Sequence, residues 1–236
     1  MIEIKNTKVY GLEESIIRSG YPHTVGEPDD LDECLLFADK SERERAIKLG
    51  SVKSGSGHDC FIKGVTVQFD LKFSLYFTKQ LQRYHFIDFI SSQSTMHSIT
   101  KMDIKESCNK YVEQGIIDIV EYWVDLYNRF DEISVEQPPC PVDSMMKEAF
   151  HMEKPVVYYV QYNDDVIPLT KYDIFMRIIS NIPSGFEYWA GMTTNYLQLK
   201  SIFLQRKNHK LKEDWGYFCD WIEGLPMFKE LVLKGD

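Results

Sequence analysis

"YHFIDFISSQSTMHS", residues 84–98, gathers Ser91, Ser92, Gln93, Ser94, Thr95 and His97 into one short run beside apolar neighbours. All six side chains form hydrogen bonds and none carries a permanent charge, which suits a ligand cradle better than a core. Clustered Ser and Thr also mark ordinary turns and helix starts, so both readings stand on these residues. Just upstream, "GVTVQFDLKFS" sets Val65, Val67, Phe69 and Leu71 on one side and Thr66, Gln68, Asp70 and Lys72 on the other, the period of a half-buried strand. "SLYFTKQLQRYHF" then turns to helical spacing, with Leu75, Phe77, Leu81, Tyr84 and His85 close to one face. Strand, helix and polar run in that order are a recurrent way to present a site.

Farther along, the pattern predicts a long amphipathic helix from Ile104 to Phe130, bent at Gly115. Its buried stripe is expected to hold Tyr111, Val112, Ile116, Ile119, Val120, Trp123, Val124 and Tyr127. Pro138, Pro139 and Pro141 mark a loop, and "PVVYYVQYNDD" reads as a β-hairpin or edge strand. Thr170 and Asp173 form a capping-box pattern opening "KYDIFMRIISNI", a helix that Pro183 and Gly185 end. "MTTNYLQLKSIFLQRKNHKL" reads as a further helix, with Asn195, Gln198, Ser201 or Ile202, Gln205 or Arg206, and His209 along a polar ridge. Arg206, Lys207, His209 and Lys210 gather at its C-terminal end, where cations also suit the helix dipole.

Composition narrows the class. At 236 residues with 44% hydrophobic content, the chain is long and apolar enough for one domain with a sizeable core. A formal net charge of -9 argues against a dedicated nucleic-acid binder, although local cations can still hold one phosphate. Five cysteines, odd in number and without a C-x-x-C pair, fit reduced thiols in a cytoplasmic protein and imply no metal site. No apolar run approaches membrane-spanning length. Nucleotide-loop, nucleophile-elbow, zinc-protease and kinase motifs are all missing, "GSGH" at 55–58 reads as a plain loop, and His23, His58 and His151 read as surface or packing residues.

The opening run and "TTNYLQLKSIFLQRKNH" together resemble the flavin-dependent thymidylate synthases. That family carries Arg-His-Arg, seven residues, Ser, one residue, Arg; here His85 falls on the histidine and Ser94 on the serine that meets the nucleotide phosphate region. The family also has an Asn followed eleven residues later by an Arg that grips the pyrimidine nucleotide, an interval that Asn195 and Arg206 reproduce. His209 lies one residue short of the family's flavin-facing histidine. Arg177 resembles a further nucleotide-binding Arg if two residues are inserted before Pro183. "VYGLEESIIRSGYP" and the segment from "SERERAIKLG" to His85 are similar to the family's opening elements, whereas residues 135–168 look like an addition. The sequence departs from the signature at Tyr84, Phe86 and Met96, where arginines are usual, at Ser91 and Ser92, where Asn and Glu are usual, and at Leu197 and Ser201, where Arg and Asn are common.

The resemblance implies an α+β fold, a mixed or antiparallel sheet packed with long helices, as a single domain over 1–236. It implies FAD-dependent C5 methylation of dUMP to dTMP, with methylenetetrahydrofolate and NADPH as co-substrates. Another pyrimidine nucleotide, hydroxymethylation, or a non-catalytic nucleotide-binding role are the alternatives. Arg206 is then the catalytic cation and, with Ser94, Gln93 and Arg177, binds substrate; His85, Asn195, His209, Arg83 and Ser201 face the cofactor, with Lys79 and Lys207 able to replace lost charge. Family members form tetramers, to which a seam with Trp123 and Tyr127 is one contributor, although an intramolecular core explains those residues equally well.

Overall fold

The computed structural model describes residues 2–27, 37–132, 158–162 and 165–233. In chain order they form β1 (Glu3–Tyr10), α1 (Leu12–Arg18), α2 (Lys40–Gly50), β2 (Thr66–Ser74), α3 (Leu75–Leu81), β3 (Ile87–Ser92) and the single turn α4 (Thr95–Ser98). There follow α5 (Gln114–Asn128), β4 (Tyr158–Tyr162), β5 (Asp165–Leu169), α6 (Lys171–Asn181), β6 (Glu187–Asn195), α7 (Tyr196–Arg206) and α8 (Tyr217–Glu223). The fold class is α+β, with a four-stranded sheet in the order β1-β2-β6-β3 and every pairing antiparallel. Two compact units emerge, Met1–Gln93 with Glu187–Asp236, and Ser94–Phe186. Among the described residues no helix is long and apolar enough to cross a membrane, and no group of His, Cys, Asp and Glu could hold a metal ion.

In the first unit, the period-2 pattern of β2 does what it predicts: Val67, Phe69, Leu71 and Phe73 are buried while their neighbours face the other way. Tyr188, Ala190, Met192 and Thr194 of β6 bury on the same terms. Phe69 packs on Trp221 at 4.5 Å and Phe77 on Trp215 at 4.5 Å, so the core lies between this sheet face and the helices of the C-terminal segment. β1 slips register between Lys5 and Lys8, and Asn6 there adopts φ 51°, a conformation Asn tolerates at a bulge.

Beneath this sheet unit, α7 is tied to the end of α2 by a buried cation. Lys200 Nζ donates to the carbonyls of Gly50 and Val52 at 2.8 and 2.6 Å and to Asp59 Oδ2 at 2.8 Å, with both charged side chains almost completely buried. All three donor hydrogens of the ammonium are thereby used.

In the second unit, Ile117, Val120 and Trp123 of α5 are buried, α5 packs on α6, and Ile174 and Ile178 of α6 are buried too. The expected capping box is present, with Asp173 N donating to Thr170 Oγ1 and Thr170 N to Asp173 Oδ2. The β4-β5 hairpin also agrees with expectation; the proline loop and most of the 135–168 addition lie outside the described residues.

Three expectations need correction. The helix after β2 ends at Leu81, so Tyr84 and His85 occupy the turn before β3 and not the helix face. α5 begins at Gln114 instead of Ile104, and Ile116 and Ile119 are 42% and 51% exposed, which shifts the buried stripe to Ile117, Val120 and Trp123. Met192–Asn195 belong to strand β6, with Asn195 capping α7.

Candidate functional site

The C-terminal turn of α7 delivers Arg206 onto an aromatic bed. Its guanidinium lies 4.7 Å from the centre of the Trp215 ring and 5.4 Å from that of Tyr84. Trp215 is fully buried and its indole N–H donates to Gln80 Oε1 at 2.9 Å, so the platform is fixed. Arg206 Nε donates to Tyr84 Oη at 2.6 Å, Tyr84 Oη donates to Gln205 Oε1 at 3.2 Å, and Gln205 Nε2 donates to Ser201 Oγ at 3.0 Å. Arg206 Nη1 and Nη2 have no partner among the described residues. The His209 ring meets Trp215 edge-on at 6.2 Å, and its Nδ1 accepts from Leu211 N at 3.2 Å. Burial, then the charges of Arg206 and Lys210, hold the His209 pKa below its ordinary value, so this imidazole is neutral at pH 7.

The polar run itself is partly a strand. Ser91 and Ser92 pair with Gly191 and Ala190 of β6, and a bulge separates Phe89 from Ser91. Gln93 continues the ladder through its backbone N–H to Trp189 O at 2.9 Å, while its side-chain Oε1 accepts from Trp189 N at 3.0 Å. Ser91, Ser92 and Gln93 then line an open cleft of about 320 Å³ together with Asp70, Trp189, Ala190 and Gly191. Gly191 keeps the cleft floor low, and Asp70 is held by Asn6 Nδ2 at 2.6 Å.

The remaining sequence-chosen residues divide clearly. Arg83 and His85 are exposed in the α3–β3 turn. Asn195 spends its Oδ1 on Gln198 N at 2.9 Å as the α7 cap, and Ser201 and His209 join the Arg206 assembly as described. Ser94 and Arg177 belong to the second unit. Ser94 Oγ caps α4 by accepting from His97 N at 3.3 Å, and the exposed Arg177 places its guanidinium 4.9 Å from the centre of Trp123. Trp123 is thus a packed residue of this unit, as is Tyr127 against Phe175 at 5.9 Å. Trp215 and Gln205 are parts of the site that the sequence does not single out, and Tyr84 reads there as a helix-face residue and a lost arginine. The single available signal was the Tyr84 substitution beside a motif histidine.

No protein-family model and no curated protein matches the sequence. Solved structures match its fold. A flavin-dependent thymidylate synthase from Helicobacter pylori, complexed with FAD and dUMP, aligns with TM-score 0.55 and 9% identity over 99% of this chain and 97% of its own. A second structure of that enzyme, also with FAD and dUMP, gives 0.55 and 8% over 99% and 98%. A UMP/dUMP methylase from Streptomyces cacaoi bound with 5-Br dUMP gives 0.52 and 11% over 100% and 93%. The chain has the fold of these proteins.

Proposed function

We propose that this chain is a flavin-dependent C5 methylase of a pyrimidine nucleotide, in its simplest form converting dUMP to dTMP with methylenetetrahydrofolate, FAD and NADPH. The observation that carries the reading is the held guanidinium of Arg206, with Nη1 and Nη2 free among the described residues, at the family interval from Asn195 in a chain of the same fold. Support comes also from the FAD and dUMP held by the Helicobacter enzyme and the 5-Br dUMP held by the Streptomyces methylase.

The donor set suits acceptor-rich, anionic ligands: the free fork of Arg206, the Ser201 hydroxyl proton, and exposed Arg83 and His85 in a chain of otherwise negative charge. Arg83, His85, Asn195, Ser201 and His209 would hold the flavin, which when bound supplies the hydride that completes the methyl group. Arg206 would face the pyrimidine oxygens and nitrogen, where a fixed cation lowers the energy of the negative charge that makes carbon 5 nucleophilic. Its guanidinium remains protonated throughout, so it polarises the ring without exchanging a proton. Gln93 would hold ribose and phosphate, and neutral His209 would offer a ring nitrogen without adding charge; Ser94 and Arg177, each taken by itself in the second unit, are further nucleotide-binding candidates. The tetramer carried by the family resemblance is part of this proposal, and light scattering on the eluted protein tests it.

A second reading, a nucleotide-binding homologue without flavin chemistry, is favoured by Phe86 and Met96, which stand 63% and 53% exposed where the family signature has arginines. Absorbance of the purified protein with added FAD, before and after titrating dUMP, separates the two. Under the main reading the flavin band stays with the protein and shifts with dUMP. A colourless protein that still binds dUMP supports the second, and preference for UMP or dCMP redirects the substrate assignment.

A further inference from the structure

Arg206 can only donate hydrogen bonds, and this fixes the direction of every bond that follows it. Because its Nε–H takes the lone pair of Tyr84 Oη at 2.6 Å, the Tyr84 proton points to Gln205 Oε1, which leaves Gln205 Nε2 to donate to Ser201 Oγ. The relay therefore ends in donors on both sides, the Arg206 fork at one and the Ser201 hydroxyl proton at the other. Resting on the nucleotide reading above, we infer that Tyr84 is a positioning residue: it replaces a second cation by an acceptor and aims the Arg206 fork at an acceptor-rich pyrimidine edge, while the Ser201 hydroxyl proton at the far end of the relay stays available to the flavin. An arginine at position 84 would instead repel Arg206 and leave Nε without this partner.

The geometry adds a second restraint. Tyr84 is buried with its ring 6.1 Å from Trp215, edge to face, and the guanidinium lies over both rings. Stacking alone permits the guanidinium to rotate in its plane; the Nε bond to a phenol that is itself anchored removes that freedom. Lost rotation before binding is lost cost on binding.

The test uses the full-length ¹⁵N-labelled protein with Tyr84→Phe, Gln205→Met and Arg206→Lys variants. The wild-type Arg206 Nε–H resonance, assigned by its absence in Arg206→Lys, is expected to be resolved and slow to exchange with water, and to collapse into the exchange-averaged arginine envelope in Tyr84→Phe. The Kd for dUMP is expected to rise about 10-fold or more in the same variant with the thermal midpoint little changed. A protected Nε–H in Tyr84→Phe, or unchanged affinity for dUMP in a protein that binds it, overturns the inference. Should the wild type bind no dUMP, the functional reading fails by itself and the positioning role is decided by the resonance alone. If Tyr84→Phe does not fold, Gln205→Met cuts the relay one bond farther along, and retained wild-type affinity there likewise counts against it.

Discussion

Arg206 differs from an ordinary helix-end cation in having its inner nitrogen and its ring face both committed, while its outer nitrogens point to no described partner. Arg206→Lys keeps the charge and loses the fork, so dUMP binding and turnover are expected to fall by the equivalent of about 1.5–3 kcal/mol. Isothermal titration and a dUMP turnover assay measure it; unchanged values would remove Arg206 from the site. Ser94 poses a sharper choice, because its hydroxyl already caps α4. Ser94→Ala is expected to weaken nucleotide binding, leave flavin in place and cost about 1 kcal/mol of stability. Flavin lost with nucleotide binding spared would reverse the assignment of the polar run. The sequence made Arg206, Ser201 and His209 visible through spacing, yet their connection runs through Tyr84 and Trp215, which are brought to α7 by tertiary packing; Trp215 carries no local signal, and Tyr84 only its place beside a motif histidine.

Which elements were legible follows from how local their causes are. β2 alternates cleanly because one face is buried, and α6 announces itself through a capping box closed within its own first turn. Only the last four residues of β6, "MTTN", fall in the predicted helix, because they lack a strong period and their strand character comes from hydrogen bonding on both sides, to β2 and β3. The predicted helix runs too far upstream because Ile104 is buried without being helical, while the chain from 105 to 113 turns, with Asn109 N donating to Gly185 O at 3.0 Å. The Lys200 clamp was equally hidden, since its acceptors lie about 140 positions or more away in sequence. Lys200→Met is expected to cost about 3–5 kcal/mol, because it strands the Asp59 carboxylate and two carbonyls in the interior. Adding Asp59→Leu is expected to recover much of that loss in urea denaturation. A single variant as stable as wild type would mean that water reaches the Asp59 carboxylate.

For the molecule as a whole, burial has a signature in alkaline solution. Burial, reinforced by Asp220 and Glu223, pushes the Cys219 thiol from 9.0 up to about 11. Burial, with the nearby Asp214 carboxylate adding to it against the Ser74 hydrogen bond, lifts the Tyr76 phenol from 10.0 to about 12, and Tyr76 Oη donates to Asp214 Oδ2 at 2.8 Å. Tyr188 and Tyr196 are raised as well, chiefly by burial. In each case the native state keeps a proton that the unfolded chain has already released, so the unfolded state binds fewer protons and stability falls as pH rises. The contribution of Cys219 is complete below pH 9.0 and lost on the way to about 11; that of Tyr76 is complete below 10.0 and lost on the way to about 12. A net charge of -9 that grows more negative over the same range adds general repulsion, which salt screens, whereas the two burial effects persist in salt. Urea midpoints taken from pH 8 upward in high salt are therefore expected to fall from about pH 9, with Cys219→Ala flattening the first part of the decline and Tyr76→Phe the second. A decline that vanishes in high salt would assign the whole effect to surface charge and leave neither buried group a part in it.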